Sequence, residues 1–122
     1  MIVAQPKTLM VVDDDQQSLF MFRQILQQHG YQVLFARGGE AALKVCRMHM
    51  GRLDLLITDV VMPGMSGQQL SDQVKSLRPG VRILFISGIM HAAALRAGEA
   101  FLPKPFTDEQ LVSKVAELLE SP

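Results

Sequence analysis

Cysteine is nearly absent from this sequence, which also has no net charge and no long apolar run. The single cysteine, Cys46, cannot form an internal disulfide and excludes a metal site built from several cysteines of this chain. Twelve basic residues balance twelve acidic ones. This balance argues against a nucleic-acid or membrane-surface partner that binds through bulk electrostatics. Apolar runs reach about four residues, whereas a membrane span needs ~18, and residues 1–6 contain no signal-peptide stretch. We therefore expect a soluble, cytoplasmic protein with no membrane partner and no direct nucleic-acid partner.

The length of the chain fits one folding unit. Its 122 residues lie within the ~100–200 residues that one domain usually takes. A hydrophobic content of 48% is enough for one buried core and too high for a disordered chain. Internal repeats, low-complexity tracts and Ser/Gly linkers are missing. We expect a single domain over residues 1–122, with no room for a second effector domain.

Short apolar runs alternate with longer amphipathic stretches along the whole chain. The predicted strands are Leu9–Val12, Val33–Ala36, Leu55–Thr58, Ile83–Ile86 and Ala100–Leu102. The predicted helices are Gln16–His29, Glu40–Met50, one with Leu70, Val74 and Leu77 on its buried stripe, a short one from about His91 to Ala97, and one opening with a capping box at Thr107–Gln110. Strand and helix alternate five times, which predicts an α/β fold with a doubly wound parallel sheet and helices on both faces.

Charged and polar residues stand where four of the predicted strands end. Asp13, Asp14 and Asp15 follow the first strand, Asp59 the third, Ser87 the fourth and Lys104 the fifth. Because the carboxyl ends of parallel strands meet at one edge of the sheet, where such folds bind ligands, we expect these groups to crowd together.

A crowded group of carboxylates needs a compensating charge. At 4 Å and an effective dielectric constant of ~20, each like-charged pair costs on the order of 4 kcal/mol. The cluster must therefore take up protons or bind a cation, and oxygen ligands without His or Cys favour Mg²⁺. A lysine and a serine hydroxyl suit the oxygens of a phosphoryl group, and a carboxylate is a competent nucleophile for phosphoryl transfer. The pattern therefore predicts a phosphoryl-transfer centre.

Four short motifs occur in order, each at the end of a predicted strand. They are Val11-Val12-Asp13-Asp14, Asp59-Val60-Val61-Met62-Pro63 with Gly67, Ser87-Gly88 and Lys104-Pro105-Phe106. Together they resemble the response-regulator receiver domain, the phosphoacceptor module of bacterial two-component signalling. The resemblance covers nearly the whole chain and implies a flavodoxin-like five-stranded sheet in the order 2-1-3-4-5.

The resemblance assigns a role to each acidic residue at the ends of the predicted strands except Asp15. It implies that Asp59 is the phosphoacceptor and that Mg²⁺ is the cofactor. Asp14, Asp59 and the backbone carbonyl of Val61 are then metal ligands, and Asp13 acts directly or through water. Asp15 precedes the first predicted helix directly, which favours an N-cap over a ligand.

The resemblance also implies a switch. Lys104 is expected to pair with the phosphoryl oxygens, and its peptide bond to Pro105 is expected to be cis, as is usual in the family. Ser87 takes the family's Ser/Thr position, whose hydroxyl moves toward the phosphoryl group. Phe101 takes the position of an aromatic residue that turns inward on activation. Phosphorylation would thereby bias a two-state interaction surface.

The implied partners are proteins. A histidine kinase or phosphotransfer protein would supply the phosphoryl group, and a downstream protein target would read the switch. A receiver catalyses its own phosphorylation and dephosphorylation but is not by itself a turnover enzyme. The runs Asp59–Gly64 and Phe101–Phe106 look especially like receivers fused to kinases, so the chain resembles the receiver of a hybrid histidine kinase.

One feature departs from the family pattern. Ser87 and Lys104 are 17 positions apart, which is shorter than in typical receivers. The missing length falls on the fourth predicted helix, where seven residues would make only ~10 Å of helix. We therefore expect a shortened or partly irregular fourth helix.

Two alternatives remain open. A haloacid-dehalogenase-type Mg²⁺-dependent phosphatase also opens with an Asp-x-Asp motif after an apolar strand, as in Asp13-x-Asp15, but Gln17 stands where Thr or Val is expected. Turnover of small phosphate esters would favour that enzyme, whereas single-turnover labelling favours a receiver. A degenerate receiver that acts only by binding is the other alternative, and absence of Mg²⁺-dependent labelling would favour it.

Overall fold

The computed structural model describes residues 5–88 and 95–120. These residues contain five strands and four helices. The strands are β1 (Thr8–Val12), β2 (Gln32–Ala36), β3 (Leu55–Asp59), β4 (Arg82–Ser87) and β5 (Glu99–Pro103). The helices are α1 (Gln16–Gln28), α2 (Gly39–Met48), α3 (Gly67–Leu77) and α4 (Asp108–Glu120). Each predicted strand lies within an observed one, so the strand prediction is confirmed.

The strands form one parallel sheet in the order β2-β1-β3-β4-β5, which confirms the predicted doubly wound α/β fold. One row of the register crosses four strands, pairing Val12 with Thr58, Thr58 with Phe85 and Phe85 with Phe101. The chain passes from β1 to β2 on one side and then returns to β3 on the other. The switch point between β1 and β3 therefore leaves a crevice at their carboxyl ends.

Helices cover both faces of the sheet, which explains why the central strands are apolar throughout. Leu9 and Val11 of β1 point to a core cluster shared with α1 and α4. Met10 and Val12 point to the opposite cluster, shared with α2 and α3, where Cys46 is buried as a small apolar side chain. Both clusters fix the strand ends in register.

Caps and one arginine set the helix boundaries. The predicted capping box of α4 is confirmed, because Thr107 N donates to Gln110 Oε1 at 2.8 Å and Gln110 N donates to Thr107 Oγ1 at 3.1 Å. Helix α2 ends at Met48, two residues before the predicted end. Beyond it, the guanidinium of Arg78 donates to the carbonyl oxygens of Cys46 and His49 at 2.9 and 2.7 Å, which replaces further helical hydrogen bonds.

Two details of the helix prediction have different outcomes. The buried stripe of α3 includes Leu70 and Val74, but Leu77 in its last turn is 42% exposed. A short helix is predicted over about 91–97, but its last residues, 95–97, are not helical. Residues 89–94 lie outside the described part of the chain, so the rest of this prediction is not tested. In the described ranges, no helix is both long enough and apolar enough to cross a bilayer.

Candidate functional site

Three carboxylates meet in the crevice between β1 and β3. Asp13, Asp14 and Asp59 each offer an oxygen, and these oxygens all lie within 4.8 Å of one another. Asp13 is buried, Asp59 is half-buried and Asp14 is exposed, so the cluster opens to solvent on one side. This arrangement gives a small molecule or an ion access to a partly desolvated set of acids.

The turn after β1 holds Asp13 in place. Its backbone N–H donates to the carbonyl oxygen of Ala36 at 3.2 Å, which extends the pairing with β2. Its Oδ1 accepts from the backbone N–H of Asp15 at 2.9 Å. Asp15 itself caps α1, because its Oδ1 accepts from Gln17 N at 3.2 Å and its Oδ2 accepts from the Ser18 hydroxyl at 2.9 Å. The N-cap prediction for Asp15 is confirmed, and this carboxylate is engaged in the helix.

The start of α3 packs directly on the backbone of Asp59. A Cβ built on Gly67 would lie only 2.2 Å from the carbonyl oxygen of Asp59 and 3.0 Å from Val60 Cα. Glycine is therefore required there for close backbone approach. The N–H of Val60 donates to Ile86 O at 3.1 Å, and Gly67 N donates to Val60 O at 2.9 Å. These contacts fix the backbone that carries the Asp59 carboxylate.

Lys104 reaches the cluster from the far side of β4. Its backbone N–H donates to the carbonyl oxygen of Ser87 at 2.8 Å, which continues the ladder between β4 and β5. Its Nζ lies 3.4 Å from Asp59 Oδ2. The Lys104–Pro105 peptide bond is cis, as expected. The structure therefore brings the ammonium group to the same pocket as the three carboxylates.

The charges in this pocket do not balance. Burial raises the pKa of Asp13 above its ordinary value of 3.8, and the neighbouring Asp59 and Asp14 carboxylates raise it further. The hydrogen bond from Asp15 N and the charge of Lys104 lower that pKa, but they do not cancel the effect of burial. Three acids with one ammonium group leave an excess of negative charge, which a cation at this position would relieve.

The donor set fits a hard divalent cation. The three cluster residues supply only carboxylate oxygens, the ligand type that Mg²⁺ prefers, and Asp14 lies at the open side where waters would complete the coordination shell. The buried Asp13 has one oxygen held by Asp15 N, which leaves the other for a ligand. The residues present therefore fit Mg²⁺.

The two residues expected to act as a switch lie on the two strands that follow β3 in the sheet, Ser87 on β4 and Phe101 on β5. Ser87 ends β4 and is 2% exposed. Phe101 is half-buried on β5 and packs against the cluster under α2 and α3. Val61, expected to offer its backbone carbonyl, follows Val60 in the β3–α3 loop, and its side chain is 62% exposed. The roles expected of Ser87, Phe101 and Val61 stay predictions.

One polar residue at the site escaped the sequence analysis. Thr58 is 0% exposed, and its hydroxyl lies 3.0 Å from the carbonyl oxygen of Asp59 and 4.0 Å from Met62 Sδ. The signal was a single hydroxyl residue inside the apolar run Leu55–Ile57, directly before the predicted acceptor. By sequence alone Thr58 is the last residue of the third predicted strand, and threonine is common in strands.

Known proteins are similar to this chain in sequence and in fold. The family model described as the response regulator receiver domain matches residues 9–116. The sequence is 35% identical over 118 residues to the sensor kinase CckA of Brucella abortus (strain 2308), an alignment that covers 93% of this chain. The chain spans only 12% of the length of that kinase.

Solved structures agree with the sequence comparison. The crystal structure of the receiver domain from the hybrid histidine kinase CckA aligns with a TM-score of 0.83 at 33% identity, covering 93% of this chain and 99% of that one. The chemotaxis protein CheY4 of Vibrio cholerae aligns with a TM-score of 0.84 at 28% identity, covering 94% of this chain and 100% of that one.

Proposed function

The chain belongs to the response regulator receiver domain family of two-component signalling, and we propose that it accepts a phosphoryl group on Asp59 from a phosphohistidine donor. The observation that carries this proposal is the convergence of three carboxylates within 4.8 Å, with the Lys104 ammonium 3.4 Å from Asp59 Oδ2. The family match over residues 9–116 favours this function over a haloacid-dehalogenase-type phosphatase.

The proposed reaction is a single displacement at phosphorus. An oxygen of the Asp59 carboxylate attacks the phosphorus atom, and a new P–O bond forms as the P–N bond to the donor imidazole breaks. The electron pair of that bond returns to the ring nitrogen, and the ring leaves neutral because its other nitrogen carries a proton. The product is an aspartyl phosphate, which water later hydrolyses.

Asp13, Asp14, Asp59 and the backbone carbonyl of Val61 are the groups that would hold Mg²⁺. The close carboxylates and the raised pKa of buried Asp13 support this assignment. When bound, Mg²⁺ offsets the negative charge of the phosphoryl oxygens and of the carboxylate that receives them. The protein's own part is to hold the nucleophilic oxygen in place, through the backbone contacts of Asp59 with β4 and α3.

Lys104 and Ser87 would respond to the new charge. Phosphorylation adds about −1.5 to −2 charge next to the Lys104 ammonium group, which forms charge-assisted hydrogen bonds to the phosphoryl oxygens. The Ser87 hydroxyl gains an acceptor and moves toward it, and Phe101 moves inward. Since Ser87 O accepts from Lys104 N at 2.8 Å, movement at either residue is transmitted to the other through the β4–β5 ladder.

The partners belong to the same proposal. The likeness to a sensor kinase and to the receiver of a hybrid histidine kinase supports a histidine kinase or phosphotransfer protein as donor. The exchange would take place in the cytoplasm. A downstream protein would recognise the surface that includes β5 and α4. Residues 1–122 would act as a single receiver unit in this relay.

Labelling with acetyl phosphate tests the proposal. The purified chain is incubated with acetyl phosphate, with and without Mg²⁺, and intact mass spectrometry measures the gain of one phosphoryl group. We expect labelling only with Mg²⁺, and we expect Asp59→Asn to abolish it. Asp15→Asn is the matched control, because its side chain lies beside the site but serves the cap of α1, which asparagine also provides.

Three results would contradict the proposed function. Full labelling of Asp59→Asn would assign the acceptor to another residue. Absence of Mg²⁺-dependent labelling in the unmodified chain would indicate a receiver that acts only by binding. Repeated turnover of small phosphate esters would indicate a phosphatase.

A further inference from the structure

Thr58 is a buried hydroxyl residue in an apolar environment. It is 0% exposed, and its register neighbours Val12 and Phe85 both belong to the apolar cluster under α2 and α3. A buried hydroxyl is unfavourable unless it is hydrogen-bonded, and valine has nearly the same shape. The hydroxyl of Thr58 must therefore be explained by the bonds it makes.

Those bonds connect Thr58 to the residues that surround the proposed acceptor. Thr58 Oγ1 donates to the carbonyl oxygen of Asp59 at 3.0 Å and lies 4.0 Å from Met62 Sδ. On its other side, the Asp59 carbonyl oxygen faces Gly67, where even a Cβ would come within 2.2 Å. The carbonyl of the acceptor is therefore enclosed between a donor hydroxyl and the first residue of α3.

The contacts fix the peptide unit that follows Asp59 at both ends. Thr58 binds its oxygen, and Ile86 O accepts from its N–H, the N–H of Val60, at 3.1 Å. The next carbonyl, that of Val60, accepts from Gly67 N at 2.9 Å. The orientation of the Asp59 carboxylate depends on this peptide unit, because a side chain follows its own Cα.

The chain beyond Val61 is held by the packing of Met62 beside the Thr58 hydroxyl. Met62 is 7% exposed, packs in the cluster under α2 and α3 and has its sulfur near Thr58 Oγ1. Val61, with a 62% exposed side chain, lies between Val60 and Met62, both of which are held in place. The backbone of Val61 is thereby restrained although its own side chain is in solvent.

We propose that Thr58 is a positioning residue of the phosphoacceptor site, whose hydroxyl orients the Asp59 carboxylate and the Val61 carbonyl for the divalent cation. It acts through the backbone of the β3–α3 loop and does not touch the cation or the phosphoryl group. This inference rests on the proposed function, since the orientation of the Val61 carbonyl matters only if the site binds Mg²⁺.

The test compares variants that differ by the hydroxyl alone. Thr58→Val removes it with little change of shape, Thr58→Ala removes it by a second route, and Thr58→Ser keeps it. Thr8→Val is the matched control, since Thr8 is also a buried threonine of the same sheet, with its hydroxyl bonded to Gln32 Oε1 at 3.2 Å at the opposite edge. Each variant is measured for thermal unfolding, for Mg²⁺ affinity by calorimetry and for amide hydrogen exchange at Val60 and Met62 without metal.

We expect Thr58→Val to remain folded and to unfold at a modestly lower temperature, because valine suits a buried parallel strand but the enclosed Asp59 carbonyl oxygen loses its hydrogen bond. Its Mg²⁺ affinity should fall about 10-fold, as for other residues that orient metal ligands. Amide exchange at Val60 and Met62 should become faster in the metal-free protein. Thr58→Ala should show the same loss of affinity, whereas Thr58→Ser and Thr8→Val should bind Mg²⁺ as the unmodified chain does.

The inference fails if Thr58→Val and Thr58→Ala bind Mg²⁺ with unchanged affinity, or if Thr8→Val loses as much. It also fails if Thr58→Ser does not restore binding. Any of these three results, obtained while Asp59→Asn still abolishes labelling, leaves the proposed function standing. An unmodified chain that binds no Mg²⁺ would overturn both.

Discussion

The ammonium group of Lys104 and the carboxylate of Asp59 lie 3.4 Å apart, although the two residues are 45 positions apart in the chain. Asp59 reaches this position from β3 and Lys104 from the end of β5, with β4 between them. The backbone hydrogen bond from Lys104 N to Ser87 O fixes the distance across that strand. The pair therefore reports directly on the parallel register of three strands.

Replacing Lys104 should separate cation binding from signalling. In Lys104→Ala, Mg²⁺ should bind as well or better, because a nearby positive charge has been removed. Labelling by acetyl phosphate should slow by up to ~100-fold, because one donor to the phosphoryl oxygens is lost. The chemical-shift changes that phosphorylation causes around Phe101 should disappear. Nuclear magnetic resonance spectra with Mg²⁺ alone, and then with acetyl phosphate, measure both effects.

Lys114→Ala is the control for Lys104→Ala, because Lys114 pairs with Glu117 on the surface of α4 at 3.5 Å. It should label and respond as the unmodified chain does. A Lys104→Ala protein that lost Mg²⁺ binding, or kept the full response at Phe101, would contradict the role assigned to this lysine.

The contact between Gly67 and Asp59 predicts a steric effect on both stability and labelling. Gly67→Ser places a Cβ 2.2 Å from a backbone oxygen, so α3 or the acceptor strand must shift. We expect a loss of about 1–3 kcal/mol in the free energy of unfolding, as for other overpacked sites, together with slower labelling. Urea denaturation and the acetyl phosphate assay measure the two effects.

Gly38→Ser makes the same chemical change where there is space. A Cβ at Gly38 would meet no atom within 4 Å, and its backbone is extended, with φ of 178°. Serine is also a good N-cap for α2. This control should keep its stability and its labelling rate, and equal losses in both variants would refute the steric explanation.

The sequence predicted those parts of the fold and site that depend on local patterns. Apolar runs marked the five strands, and the polar residues at their ends marked the crevice that contains Asp13, Asp14, Asp59 and Lys104. The order of the strands, which decides which of these ends are neighbours, was implied by the resemblance to the receiver family and not by local patterns. The capping residues Asp15 and Thr107 were also predictable, because a cap and its helix are adjacent in sequence.

Contacts between distant segments were beyond sequence reasoning. The guanidinium of Arg78 lies at the end of α2, 29 positions from the His49 carbonyl that it binds, and a lone arginine carries no signal of this partner. The hydroxyl of Thr58 looked like an ordinary strand residue because its acceptors depend on how the β3–α3 loop folds back. Such details require atomic positions, since the same residue types occur on surfaces without these bonds.

Glu99 predicts a pH dependence of stability. Its side chain is 1% exposed, forms an ion pair with Lys75 and accepts from Arg96 N at 2.9 Å. Burial alone would raise the pKa of Glu99, but the hydrogen bonds from Lys75 and Arg96 N, together with the charges of these residues, lower it below its ordinary value of 4.5. These contacts anchor the start of β5 to α3.

Because the folded pKa of Glu99 lies below the unfolded one, the folded state binds fewer protons in this range. Its contribution to stability is therefore complete above pH 4.5 and is lost as the pH falls through the folded pKa. Glu99→Gln should lower the free energy of unfolding by about 1–3 kcal/mol at neutral pH, because Lys75 loses the charged carboxylate that it is hydrogen-bonded to. The difference from the unmodified chain should shrink in acid.

Urea denaturation of both proteins at neutral pH and at about pH 3 checks this prediction. Glu117→Gln is the matched control, since Glu117 pairs with Lys114 while 70% of its side chain is exposed. That variant should change stability by less than ~0.5 kcal/mol, as solvent screens the pair. A deficit of Glu99→Gln that stays constant from neutral to acidic pH would mean that packing, and not the carboxylate charge, stabilises the start of β5.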